Sequence, residues 1–262
     1  MPESIIFEEN NAIATLTLNR PEKHNAFDDK LIKTLLQHLK KIEQDKTTHA
    51  VILKGAGKHF SAGADLAWMQ RMIQYTEAEN IADAKQLAEL MDTLYHLSKP
   101  TIALVQGAAY GGGVGLAACC DIAIGTSKAA FCLSEVKIGM TPAVISPYVI
   151  NVIGERAARR YFLTAEVISA EKALALNLIS EIVSESELQT AGLKLAETLL
   201  ANSPKAVTGT KDLITRTARG PIDHRMTEDT AEMISEMRVS KEGQEGLKAF
   251  LEKRTPNWQK HQ

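Results

Sequence analysis

Residues 101–120 read TIALVQGAAYGGGVGLAACC, a stretch without a charged side chain that is long enough to cross a bilayer by length alone. Gln106, the glycines of its centre and Asp121 directly at its end oppose that reading, because glycine weakens a single helix and an acid closes the apolar run. The stretch is read instead as a buried strand, a glycine turn and the start of a buried helix. Strand-to-helix passages of this kind build α/β proteins, and the flanking chain agrees. β-branched or alternating apolar runs predict strands at about 4–8, 12–19, 50–54, 101–106 and 122–125. Between them, helical spacing of Leu31, Leu35, Leu36, Leu39 and Ile42 predicts a helix over 28–45, with Asp28 and Asp29 at its start. Ile81, Leu87, Leu90, Met91 and Leu94 predict another over 76–97.

From about residue 157 the strand signal thins to a short candidate at 178–183, and beyond Ser203 the chain reads as helix, with Pro204 in a first turn and Gly220-Pro221 as a stop. This places a boundary near 200: a core over 1–200 and a helical region over 201–262 whose apolar faces, with Leu247, Phe250 and Leu251, lack a domain of their own to cover them. The 262 residues are 45% hydrophobic and 24% charged, which excludes disordered and fibrous classes. The net charge of −2 gives no field for a polyanion, so no nucleic-acid partner is expected. Three cysteines, two of them adjacent, suit reduced thiols in a cytoplasmic protein. Seven histidines without an H-x-x-x-H pair support no metal site.

Three segments carry candidate chemistry. HFSAGADL, residues 59–66, follows a strand; its small residues allow close backbone approach and Asp65 can cap the next helix, leaving free N–H groups for an anion or a developing oxyanion. It is equally an ordinary tight turn, and as H-x-S-x-G it departs from the nucleophile elbow at Ser61. GAAYGGGVGLA, residues 107–117, again leads from strand to helix. Gly113, Gly115 and Ala118, with Glu135 twenty residues after Gly115, fit a dinucleotide fingerprint, but the strand ends too early for its tight first turn. In FCLSEVKIGMTPA, residues 131–143, Glu135 stands among Phe131, Leu133, Val136 and Ile138; desolvation there raises a carboxyl pKa and suits proton transfer, although a surface residue or a partner for Lys137 is also consistent. The methionines and tryptophan around Trp68 read as core.

In this order, LTLNRPEKHNAF (16–27), HFSAGADL, GGGVGLAACCDIAIG (111–125) and FCLSEVKIGMTPA resemble the crotonase superfamily, the enoyl-CoA hydratase/isomerase family, over essentially Ile5 to Trp258. AVISPYVINVIGERAARRYFLTAE (143–166) resembles the methylglutaconyl-CoA hydratases of leucine breakdown and the related isohexenylglutaconyl-CoA hydratases. The resemblance implies a crotonase-like ββα spiral with a helical C-terminal part that closes homotrimers, often paired into hexamers. It implies an oxyanion hole from the N–H groups of Ala64 and Gly112. It further implies an acyl-CoA channel involving Glu22, Lys23, His24 and Ala26 of the first turn, Ala62, Asp65, Leu66 and Ala67 of the second, and Gly115. Coenzyme A enters as part of the substrate and no further cofactor, metal or membrane partner is implied. Two-carboxylate hydratases of the family place one Glu after the glycine run and a second twenty residues later; the second is Glu135, whereas the first position holds Gly115. A single Glu also resembles the Δ3,Δ2-enoyl-CoA isomerases. The expectation is an enoyl-CoA hydratase, with such an isomerase or a non-catalytic acyl-CoA binder as alternatives.

Overall fold

The computed structural model describes residues 3–259. An antiparallel hairpin, β1 (Ile5–Asn10) and β2 (Ile13–Leu18), opens the chain, followed by α1 (Asp29–Gln44), β3 (Ala50–Gly55), α2 (Leu66–Met72), α3 (Glu77–Tyr95) and β4 (Thr101–Val105). Then come β5 (Ala108–Tyr110), α4 (Gly112–Cys119), β6 (Ile122–Thr126), β7 (Ala130–Cys132), α5 (Ser146–Thr164), β8 (Ile168–Ser169), α6 (Ala170–Ala175), β9 (Glu181–Val183) and α7 (Leu188–Leu200). The main sheet runs β1-β2-β3-β4-β6-β9 and is parallel from β2 onward, and β5-β7-β8 form a second, smaller sheet. Strands β3 and β4 read as continuous apolar runs because both faces are covered: α1, α3 and α4 bury one side in the main core, and α7 packs Leu188, Ala196 and Leu200 against Ile52, Ile102, Leu104 and Ile124 on the other. The five expected strands and both long helices are present, and residues 101–120 form β4, β5 and α4. Among the described residues no helix is long and apolar enough to cross a membrane.

Two expectations are corrected. The glycine turn read between the strand and the helix of residues 101–120 contains a strand of its own, β5, which pairs in parallel with β7, itself paired with β8. Three residues are too few to show a period. On α3, Leu90, Met91 and Leu94 are buried as expected, but Ile81 is 48% exposed, because the first turns of α3 leave the core and stand over a cleft. The helical end comprises α8 (Pro204–Thr217), α9 (His224–Val239) and α10 (Lys241–Leu251). Lys211 of α8 ties it to the core by an ion pair of 2.7 Å with Asp121, which also accepts from the Thr101 N–H and hydroxyl. Leu247, Phe250 and Leu251 lie exposed on this chain.

Candidate active site

Three turns converge on one cleft. The first leaves β2 through a 3-10 turn, Pro21–Lys23, and then places His24 and Asn25 in the left-handed region. Asn25 is completely buried and bonds at three points: its Oδ1 accepts from the Arg20 N–H, and its amide donates to the carbonyls of Ala56 and His59. A side chain that satisfies backbone groups of two separate loops fixes their spacing. The second turn, 61–65, is stitched to the first: Phe27 N–H donates to Gly63 O at 2.6 Å and Asp65 N–H donates to Phe27 O at 2.7 Å. The intervening Ala64 N–H is thereby turned away from Phe27, and it has no backbone hydrogen bond among the described residues. The third turn enters α4 at Gly111, whose φ of +50° combined with ψ of −120° lies outside the left-handed helical region and is open to glycine alone without strain. Its N–H is held by Cys132 O, so that the free Gly112 N–H heads the helix. Phe27 closes the other side of Gly112, its Cε2 and Cδ2 lying 2.5 and 2.9 Å from where a Cβ would stand.

The cleft between these turns, α2, α3 and residues 134–145 has a volume of about 590 Å³. Glu135 begins the 3-10 turn Glu135–Ile138, and its Oε1 lies 3.2 Å from the position a Cβ on Gly111 would take. Its Oε2 is buried with no hydrogen-bond partner among the described residues. Burial disfavours the charged form and raises its pKa above the ordinary carboxyl value. A half-buried, unpaired carboxylate on a cleft wall is equipped to exchange a proton.

Of the residues expected at the site, Ala62, Ala64, Leu66, Gly112 and Glu135 line this cleft. Glu22, Lys23 and His24 lie exposed on the first turn and Ala26 is buried beneath it; none of them, nor Ala67 on the exposed start of α2, lines the cleft. Asp65 and Gly115 are likewise not among the residues that line it. The Asp65 carboxylate faces the protein: it takes Arg20 at 2.8 Å and Lys23 at 2.9 Å and caps α2 by accepting from the Ala67 and Trp68 N–H groups. Burial opposes its ionisation, yet the Lys23 bond and the two N–H groups hold its pKa down at about 2. Gly115 lies under the cleft wall, where Ile145 covers it.

The alternative readings find no support in the geometry. Ser61 is buried and donates to Asn25 O at 2.8 Å, with no histidine on its hydroxyl among the described residues. Gly113, Gly115 and Ala118 are packed inside α4. No group of three metal-ligating side chains occurs among the described residues. The residues around Trp68 serve as core and wall together: Trp68 is 3% exposed, and it lines the cleft with Met69 and Met72. Sequence reasoning missed Arg20, Asn25, Phe27, Asp83 and Ile145. An isolated arginine–asparagine pair around a proline turn is a local signal, whereas the packing of Ile145 on Gly115, thirty residues away, leaves none.

The profile of the enoyl-CoA hydratase/isomerase family matches residues 8–261. A short-chain-enoyl-CoA hydratase of Clostridium acetobutylicum is 33% identical over 96% of this chain and 95% of its own, and a crotonyl-CoA hydratase of Syntrophomonas wolfei is 32% identical over 98% of each. Among solved structures, an enoyl-CoA hydratase of Shewanella pealeana superposes with a TM-score of 0.95 at 47% identity, covering 98% of this chain and 96% of that one. A crotonase-type structure from Legionella pneumophila gives 0.93 at 49%, covering 97% and 98%. The chain belongs to the enoyl-CoA hydratase/isomerase family, has the crotonase fold and is an enzyme of this kind.

Proposed function

We propose that the protein adds water across the double bond of a short α,β-unsaturated acyl-CoA, with Glu135 as the proton-transfer group. The observation that carries this reading is the meeting on one cleft wall of a desolvated carboxylate, Glu135, and two turns whose Ala64 and Gly112 N–H groups are left free by the backbone bonding around them. In this reading both donors hold the thioester oxygen as negative charge builds on it, in a site where fixed dipoles outperform water. Glu135 takes the proton that water loses as its oxygen bonds the β carbon and delivers a proton to the carbon α to the thioester, so that the carboxyl ends in the state in which it began. The turn at 22–26 and the segment 62–67 flank the entry for the CoA moiety. The exposed faces of α8 to α10 support assembly as a trimer or a dimer of trimers, and three free buried thiols suit the cytoplasm.

A second reading rests on the likeness of 143–166 to methylglutaconyl-CoA hydratases and brings an acyl group with a second carboxylate. The described residues that line the cleft include no lysine or arginine to receive it. Incubation of a panel of neutral and carboxylated enoyl-CoA thioesters in ¹⁸O-water tests both readings. Label at the β carbon marks hydration, a migrated double bond without label marks isomerisation, and binding without turnover marks a non-catalytic acyl-CoA binder.

A further inference from the structure

We propose that Asp83 is the specificity-determining residue of the acyl cleft, opposing acyl groups that carry a second carboxylate. The inference rests on the reading above that this cleft holds the acyl part of a CoA thioester. Asp83, Leu87 and Met91 follow at four-residue steps along α3 and so form one stripe. Met91 packs into the core beside Gly115, Leu87 reaches the cleft one turn earlier, and Asp83 lines it another turn out. The Asp83 side chain is held in place, because its Oδ1 accepts from the Trp68 Nε1–H at 3.1 Å, and Trp68 itself is buried at the foot of the cleft. Asp83 has no ion pair among the described residues. Arg71 on α2 and Asp29 on α1 are the charged groups that act on it, and these two are paired with each other.

Among the described residues that line the cleft, Asp83 and Glu135 alone are charged, and both are acidic. Each has a pKa raised by burial, the sign of a wall poorly served by water. An acyl tail that ends in a methyl group meets Leu87, Met69 and Met72 there. A tail that ends in a carboxylate must bring a like charge beside Asp83 without a cation to compensate, and repulsion between charges in a partly desolvated cleft discriminates strongly between partners. Satisfying the indole N–H would need only a neutral acceptor, so the Trp68 bond by itself gives no reason for a charge at this position.

Asp83→Asn separates the two roles, since the amide oxygen can still accept from Trp68 while the charge is gone. The affinities of the unreactive thioesters butyryl-CoA and glutaryl-CoA would be measured by calorimetry, and kcat/KM for crotonyl-CoA and glutaconyl-CoA by absorbance, in the wild type, Asp83→Asn and Asp83→Ala. The expected result is a rise of about tenfold or more in both the glutaryl-to-butyryl affinity ratio and the glutaconyl-to-crotonyl kcat/KM ratio in both variants. Ratios that stay constant or fall in Asp83→Asn overturn the proposal. So does a change confined to Asp83→Ala, which would leave Asp83 only an anchor for Trp68. A wild type that turns over none of the thioesters defeats the hydratase reading, whereas the binding ratio still decides the role of Asp83.

Discussion

Ile145 fills the space that a side chain at Gly115 would need: its Cβ lies 2.9 Å from the position of a Gly115 Cβ, its Cγ2 closer still, and Met91 Cε stands at 3.2 Å. The place where the resemblance puts the first of two glutamates is therefore apolar, closed by residues from α3 and from the loop before α5. Even one added methyl at Gly115 must displace a buried side chain. Gly115→Ala is expected to destabilise the fold by about 1–3 kcal/mol through overpacking. Ile145→Ala, which opens a cavity, should cost about 2–5 kcal/mol alone. Combined, the two should cost clearly less than their sum, because each relieves the other. Denaturant unfolding of the three variants gives the coupling, and strict additivity would show that the residues do not compete for that volume.

How far the sequence carried this far is visible in the same pair. The departure at Gly115 was legible as a missing glutamate, and Glu135 as a carboxylate in an apolar setting. Strands β1 to β4, helix α1 with its Asp28 cap and the capping role of Asp65 followed from local pattern. What was not legible arises between segments far apart in the chain. Asn25 bonding to Ala56 and His59, Trp68 bonding to Asp83 and Ile145 covering Gly115 each depend on how the turns are brought together. The partners of Asp65 were hidden for the same reason: its type and place suited a ligand, and Arg20 and Lys23, brought from the first turn, bond its carboxylate.

Asp65 leads to a stability prediction. Removing the carboxylate in Asp65→Ala takes away an N-cap and leaves Arg20, whose side chain is only 12% exposed, with Asp28 as its remaining ion-pair partner. A loss of about 2–3 kcal/mol is expected, below the range for an ion pair broken without compensation because Asp28 stays on Arg20. The pH dependence has a definite sign. The folded-state pKa of Asp65 is depressed to about 2 from an ordinary 3.8, so its contribution is present above 3.8 and disappears as pH falls through 2. Unfolding free energies of wild type and Asp65→Ala should converge across that window; a difference that persists at pH 2 would assign the stability to packing.

The Gly112 donor needs a test that adds no atoms, since Phe27 leaves no room for a Cβ. Replacing the Gly111–Gly112 peptide by an ester through a glycolic acid at position 112 removes the N–H and keeps the chain geometry. Loss of one oxyanion donor should lower kcat by about a hundredfold to a thousandfold, with a small change in CoA-thioester affinity. Near-normal turnover in a folded ester variant would remove Gly112 from the site.

Glu135→Gln addresses the proton itself. The amide keeps the size of the side chain and loses the exchangeable acid, so kcat should fall at least about a hundredfold. In the wild type the pH profile of kcat/KM should show one carboxyl titration displaced upward from the ordinary 4.5, and in Glu135→Gln that titration should vanish. Stability should move in the opposite direction from activity. Because burial raises the pKa of Glu135 in the folded protein, its carboxyl favours folding most below 4.5, and that contribution is lost as pH rises through the folded-state value. Above it, the native state holds an ionised carboxylate with an unpartnered buried oxygen. Glu135→Gln, which never ionises, should therefore gain stability over the wild type on going from acid to neutral pH. Thermal unfolding at both pH values measures this gain. A fully active variant would show that Glu135 is not the proton carrier, and a stability difference from the wild type that does not change with pH would show that it is not a desolvated carboxyl.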